Sequence, residues 1–421
     1  MAVRQRIADF FGGLERFEIS ELVLLLAIAV IDPWSWQTAV WVYLLLLANT
    51  VAKAVWKRGV RNSLTRGARS SMILSMVFFA IYLLSMLYTS NLEAGWTSVA
   101  HKLSFVLLPA YFLCSDLGYI GKERLRVLMY GFVFSCCVMF LVYIGKPLWR
   151  IVFEGASGNV LFGSHKLVRH HTYYAMYFLL ALAFLFYDVY NNWRSMNKGW
   201  KVLLGVCAAM LILFMVFIQS RSGILCLMVL IVWTLVTLFV RKYYRAALIG
   251  VAVAVAGCCG VYLLVGQKHH RLTQTVVATT GKGKRDIRFD IAENALQVIG
   301  DHWVLGVGVG DRIDELDANR QKTHGVEDEK SWHHYNPHNQ YLDTWVATGL
   351  LGFLTLLALL LIPFIRALKQ RPHNEMLLAL IFIVGCSALF ESVFERQMGI
   401  VFFCYFYGLL QLEPEELAVG D

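Results

Sequence analysis

The stretch "KVLLGVCAAMLILFMVFIQSRSGILCLMVLIVWTLVTLFVRK", Lys201 to Lys242, decides what kind of fold this chain adopts. Two apolar runs, each close to the ~20 residues that a helix needs to cross a hydrocarbon core, are joined by a four-residue turn, Gln219 to Ser222. Lys198 and Lys201 precede the first run; Arg241, Lys242 and Arg245 follow the second. Such a segment reads as a pair of membrane-spanning helices with both outer ends on one side.

The rest of the chain repeats the pattern. Of its 421 residues 58% are hydrophobic and 16% charged, and the mean hydropathy is +0.58. That composition excludes an ordinary soluble domain and predicts an all-α polytopic membrane protein with about twelve transmembrane helices. The first apolar run, Leu22 to Ile31, is followed by Asp32-Pro33-Trp34 and another run, with no small-residue cleavage site, so the N-terminus is expected to be retained. Ile7, Phe10, Phe11, Leu14 and Phe17 recur at helical spacing among Arg4, Arg6 and Arg16, as in an amphipathic helix on a membrane surface. All nine cysteines lie in apolar runs, which favours packing over a disulfide or metal framework.

The net charge of +9 is not gathered on one polar domain, as nucleic-acid binding requires. Basic residues instead mark every second connection: Lys53 to Arg69, Lys122 to Arg126, Arg194 to Lys201, Arg241 to Arg245 and Arg366 to Arg371. By the positive-inside rule these connections and both termini are cytoplasmic. The others face the periplasm: Asp32 to Gln37, Ser90 to Thr97, Gly145 to His171, Gln219 to Ser222, Gly266 to Gln340, and Phe390 to Arg396. Three regions follow: residues 1–266, with nine transmembrane helices and the amphipathic N-terminal helix; residues 267–339, a large periplasmic loop; and residues 340–421, with three more spans and a cytoplasmic tail. Within the loop, Ile291, Ala295 and Val298 give Arg288 to Ile299 the pattern of an amphipathic helix.

Basic residues outside the cytoplasmic connections are the candidates for function. Arg221 stands between two apolar runs, where an arginine persists only if it snorkels, pairs or binds an anion. Lys102 starts a span from the periplasmic side, Lys166, Arg169, His170 and His171 precede another, and Arg288 opens the loop helix. Guanidinium forks suit phosphate oxygens, and a pyrophosphate needs more than one donor. Lys282, Lys284 and Arg285 read as a solvated charge run. Gly306, Gly308 and Gly310 lack the spacing and strand–helix context of a dinucleotide site and point to a tight turn or close backbone approach.

In "WHHYNPHNQYLDTWVATGLLG", Trp332 to Gly352, three histidines precede a span. Zinc held by His333, His334 and His338 would need helical or hairpin spacing, and the sequence offers neither cleanly. For His333 and His334 the plainer reading is hydrogen-bonded structural histidine. His338 follows Pro337 at the head of the span, where a group titrating near neutral pH is placed to act as a general base.

Taken together, "SNLEAGWTSVAHKLSFVLLPAYF", "QSRSG", "RFDIAENALQVIGDHWVLGVGVGD" and "PHNQYLDTWVATGLLG" resemble the bacterial O-antigen ligase and polymerase superfamily over nearly the whole chain, the ligase most of all. Val304 departs from a proline, and Ala347 from an acidic residue, common in that superfamily. The resemblance implies a GT-C-class glycosyltransferase of the inner membrane with its active site facing the periplasm. It would move a polysaccharide from undecaprenyl pyrophosphate to a sugar hydroxyl of lipid A-core, with no ATP and no metal. Residue by residue, the resemblance makes His338 catalytic and Arg221 and Arg288 pyrophosphate ligands; Lys102 and Arg169, from their charge and position alone, are further candidates for substrate contact. An O-antigen polymerase, a protein-glycosylating ligase and a lipid-linked oligosaccharide transporter stay open as alternatives. Every reading takes membrane lipids, and none takes nucleic acid, as partner.

Overall fold

A computed structural model describes residues 10–57, 63–156, 171–218, 220–240, 242–244, 248, 287–324, 335–370 and 373–412. Among them all regular structure is helical. The two apolar runs that open the sequence reading are helices α8 (Lys198–Ile218) and α9 (Arg221–Val240). Before them come α1 (Arg16–Ile31), α2 (Trp36–Lys57), α3 (Arg66–Ser85), α4 (Leu92–Lys102), α5 (Ser104–Cys114), α6 (Lys122–Phe153) and α7 (His171–Asn192). The large loop carries α10 (Ile287–His302) and α11 (Arg312–His324), and α12 (Gln340–Lys369), α13 (Glu375–Ala388) and α14 (Gln397–Leu409) close the chain.

Among the described residues eight helices are long and apolar enough to cross a membrane, with α4 and α5 together forming one of them. Helices α1, α13 and α14, of 16, 14 and 13 residues, lie where three more spans are expected but are shorter than the ~20 residues that cross a hydrocarbon core. The remaining one, ending at Gly266, lies outside the described residues. Two expected boundaries shift. Helix α6 runs through Gly145 and Pro147 to Phe153, and the N-terminal amphipathic stretch is interrupted at Gly13 (φ +74°), so that Phe17 belongs to α1.

Helix α14 is buried on every side from Met398 to Leu409, which its apolar sequence permits and its short length requires. Phe105, Phe394 and Phe403 form a chain of ring contacts about it, with centroids 5.1 Å apart at each step. The basic connections gather at one end of the bundle. There Lys53 pairs with buried Glu21 at 2.9 Å, Arg126 with Asp188 at 2.8 Å, and Arg366 bonds Gly67, Ser71 and Gln411. Cys136, Cys137, Cys207, Cys226 and Cys404 are buried, and the described cysteines are all free thiols.

Helix α12 breaks at Gly349, whose φ of +66° and ψ of −161° fall outside any helix. The glycine-rich segment enters the gap. Val307 and Gly308 donate to the carbonyls of Val346 and Ala347 at 2.8 and 3.1 Å, and Leu350 donates back to Trp303 and Val304 at 2.9 and 3.1 Å. Backbone groups freed by the break are thereby satisfied within the protein. The close approach expected of these glycines is an approach to the protein itself: a Cβ on Gly349 would lie 2.1 Å from the carbonyl oxygen of Val304. Gly349→Ala should therefore lower the thermal midpoint in detergent, by at least the ~1–2 kcal/mol of a left-handed alanine. Gly145→Ala, inside α6 with open space around it, should not lower the midpoint and should raise it by up to the ~1 kcal/mol that a helical glycine costs relative to alanine.

Candidate functional site

At the end opposite the basic connections, Asn339 caps α12, its side chain accepting from Tyr341 and Leu342 N–H. His338 stands just before the cap with φ +46°, an uncommon conformation for a residue with a Cβ. Pro337 restricts the approach, and the His338 N–H donates to Asn336 Oδ1 at 3.1 Å, closing a local turn that holds the strain. The imidazole is half-buried, with Nδ1 3.3 and 3.4 Å from the two carboxylate oxygens of Glu391. An ionised carboxylate only accepts, so Nδ1 carries the hydrogen, and in the neutral imidazole the lone pair is then on Nε2.

Glu391 lies on the short connection between α13 and α14. That connection is fixed from several sides. Phe394 N–H donates to Gln340 Oε1 at 2.6 Å, Tyr173 OH to the Ser392 carbonyl at 3.2 Å, and Asn339 Nδ2 to the Leu389 carbonyl at 3.3 Å. Glu395, four residues after Glu391, takes Lys102 Nζ at 2.8 Å and Arg312 Nη2 at 2.6 Å. Arg312 Nη1 meets Asp343 at 2.6 Å. Burial pushes the Glu395 carboxyl up, but the charges of Arg312 and Lys102 outweigh it and hold the group well below the usual carboxylate range.

The expected site residues fall out as follows. Arg288, at the head of α10, is exposed on the Glu391 side, and its charge acts on that carboxylate. Arg221 opens α9, where Ser220 caps the helix by accepting from Gly223 N–H. Helices α9 and α13 pack together, with the Cys226 and Cys386 thiols hydrogen-bonded. Cys226 lies five residues after Arg221 and Cys386 five before Glu391, so both positions occupy the same end of the bundle. A cation at a helix N-terminus gains nothing from the helix dipole, whereas an anion placed there gains from both. Lys102 joins the cluster, but its buried ammonium is turned to Glu395 and to Ser98 Oγ (3.1 Å), and it lies 4.6 Å from the Tyr82 ring centroid. Arg169, His333 and His334 lie outside the described residues. Among the described residues no third His, Cys, Asp or Glu joins His338 and Glu391 as a metal cage would require.

Sequence reasoning passed over Glu391, Glu395, Arg312 and Asp343. The available signal was "FESVFERQMG", Phe390 to Gly399, where two carboxylates four residues apart stand beside Arg396 between apolar runs. The loop is clasped as well by Asp311, which accepts from Ser90 and Asn91 N–H at 2.7 and 2.6 Å.

Removing Arg312 would leave two carboxylates without their shared partner. Arg312→Ala should cost about 3–5 kcal/mol, read as loss of folded protein in detergent. For Glu391, burial raises the carboxyl, while the hydrogen bond and charge of His338 and the charge of Arg288 together hold it below the usual range. Its contribution is therefore complete above an unfolded carboxylate value of about 4.3 and lost as pH falls through the lower folded value. The stability difference between wild type and Glu391→Gln should shrink below about pH 4 in thermal melts.

Residues 206–357, little more than a third of the chain, match the family model described as O-antigen ligase. Arg221, Arg288, Arg312, His338 and Asp343 fall inside the match; Lys102, Glu391 and Glu395 fall outside it. A protein of Haemophilus influenzae described as uncharacterized is 27% identical over 134 residues, 31% of this chain and 33% of that protein. A probable potassium transport system protein Kup of Cytophaga hutchinsonii is 30% identical over 96 residues, 20% of this chain and 14% of that protein. The chain thus spans a third or less of the curated relatives it matches. Through residues 206–357, the chain is similar to the O-antigen ligase family.

Proposed function

We propose that this chain is an O-antigen ligase of the inner membrane, a GT-C-class enzyme. It transfers a polysaccharide from undecaprenyl pyrophosphate to a sugar hydroxyl of lipid A-core on the periplasmic face. The observation that carries the reading is the pairing of His338 with Glu391 at 3.3 Å, with Arg288 acting on the same carboxylate. A histidine so held, in a strained turn at the head of a membrane helix, has one nitrogen oriented and the other open to substrate.

In this reading the acceptor hydroxyl gives its proton to His338 Nε2 as its oxygen bonds the anomeric carbon. The imidazolium that forms is stabilised by Glu391. The bond from the anomeric carbon to the pyrophosphate oxygen breaks in the same step, and Arg221 and Arg288 neutralise the charge that grows on the leaving group. Arg169 is a further candidate for binding the donor. Lys102 holds Glu395, and through it the connection that carries Glu391, rather than touching substrate. The residues themselves supply the proton acceptor and the positive charge, so the scheme uses neither metal nor ATP. One displacement inverts the anomeric configuration, and a product with retained configuration would sink the scheme.

The test is a reconstituted assay with purified protein, undecaprenyl-pyrophosphate-linked glycan and lipid A-core in detergent with EDTA. Wild type should build glycan onto lipid A-core, and His338→Ala should lower the rate by roughly 100- to 10,000-fold. Consumption of donor only when a second lipid-linked glycan is present would make the protein a polymerase. No consumption under any condition would favour transport, which the short likeness to a probable potassium transport protein keeps in view.

A further inference from the structure

Helix α10 divides its surface three ways. With about 3.6 residues per turn, Ile291, Ala295, Val298 and Ile299 share one sector, and all four are buried against α12 and α11. Glu293, Gln297 and Asp301 lie on a second sector and are exposed, and Asp290 and Asn294 border it. Phe289, Leu296 and Trp303, spaced by seven residues, define a third, with half-buried Ala292 and exposed Gly300 between them. These three large apolar side chains are 64%, 55% and 53% exposed. A helix standing on a protein in water needs only two sectors, one inward and one polar. The apolar third is uncovered by any part of the described chain.

What covers it follows from where the helix ends. The carbonyl of Trp303 accepts from Leu350 N–H and from Trp345 Nε1 at 3.0 Å. Leu350 is the first residue after the break in α12, and the segment from there to Lys369 has the ~20 residues that cross a hydrocarbon core. Trp303 is thus pinned at the top of a span, at the level where tryptophan is enriched in membrane proteins. The apolar surface continues from Trp303, Val304 and Leu305 onto Leu351, Leu354, Leu361 and Ile365 of α12, all exposed along the side of that span. A stripe continuous with the lipid-facing side of a transmembrane helix has the same solvent.

We propose that α10 is an interfacial helix, lying in the leaflet at the His338 end with Phe289, Leu296 and Trp303 among the acyl chains and Glu293, Gln297 and Asp301 in the water layer. Arg288, which falls beside the buried sector, is then held at headgroup height and faces the protein. A phosphate whose lipid chain stays in that leaflet meets it without leaving the membrane. The placement does not depend on the chemistry assigned to His338.

The full chain, carrying a genetically encoded fluorescent amino acid at Leu296 or at Asp301, is reconstituted into vesicles of phosphatidylethanolamine and phosphatidylglycerol. Quenching by lipids brominated on the acyl chain is compared with quenching by aqueous iodide. The label at 296 should be quenched several-fold more by bromine than the label at 301, and iodide should reverse the order. A label at Phe289 reads the same sector if the one at 296 disturbs folding. Iodide quenching at 296 as strong as at 301, or equal bromine quenching at both, overturns the proposal, whatever the transfer assay gives.

Discussion

The guanidinium of Arg312 reaches two carboxylates from distant parts of the chain, Asp343 in the first turn of α12 and Glu395 between α13 and α14. Lys102 adds a third origin by pairing with Glu395 from the end of α4. Two positive and two negative groups thus close on one another where water is scarce, and none of the four tolerates losing its partner. Such a cluster adds little net stability compared with well-packed apolar side chains. What it adds is geometry: the loop, the head of α12 and the connection carrying Glu391 have one mutual arrangement in which all four charges are satisfied. The strained backbone of His338 is sustained inside that arrangement.

How much of this was legible in the sequence depended on the range of the interaction concerned. The α8–α9 hairpin and the inward face of α10 were readable because hydrophobic periodicity is a local property, and Ile291, Ala295 and Val298 are buried as their spacing predicts. The position of His338 at the head of a span was readable from the apolar run that follows it. Glu391 and Glu395 were not, because a carboxylate in a short connection is ordinarily solvated. Their partners, His338, Lys102 and Arg312, lie 53 to 293 positions away in the chain. The break at Gly349 was equally hidden, since "ATGLLG" continues an apolar helix by composition and only the glycine segment's demand for backbone partners reveals the interruption.

The family motifs take on a physical meaning in this light. Ser90 and Asn91 donate to Asp311, Thr89 accepts from Gly310, and Gly306 and Gly308 lie against α12 and Thr89. Much of what made the sequence recognisable is a set of surfaces that fit one another, built so that a few exposed groups stay in place.

The paired backbones at the α12 break also set a ruler. Two consecutive N–H groups, of Val307 and Gly308, dock on two consecutive carbonyls, of Val346 and Ala347, while Leu350 reaches back to Trp303 and Val304. Between His302 and Gly306 there is consequently no slack. Adding or removing one residue there would turn α10 by a quarter of a revolution or more against the bundle, carrying its apolar stripe out of register with the side of α12. Length variation in this loop is therefore confined to segments that precede α10 or follow α11, however variable the rest of the loop becomes.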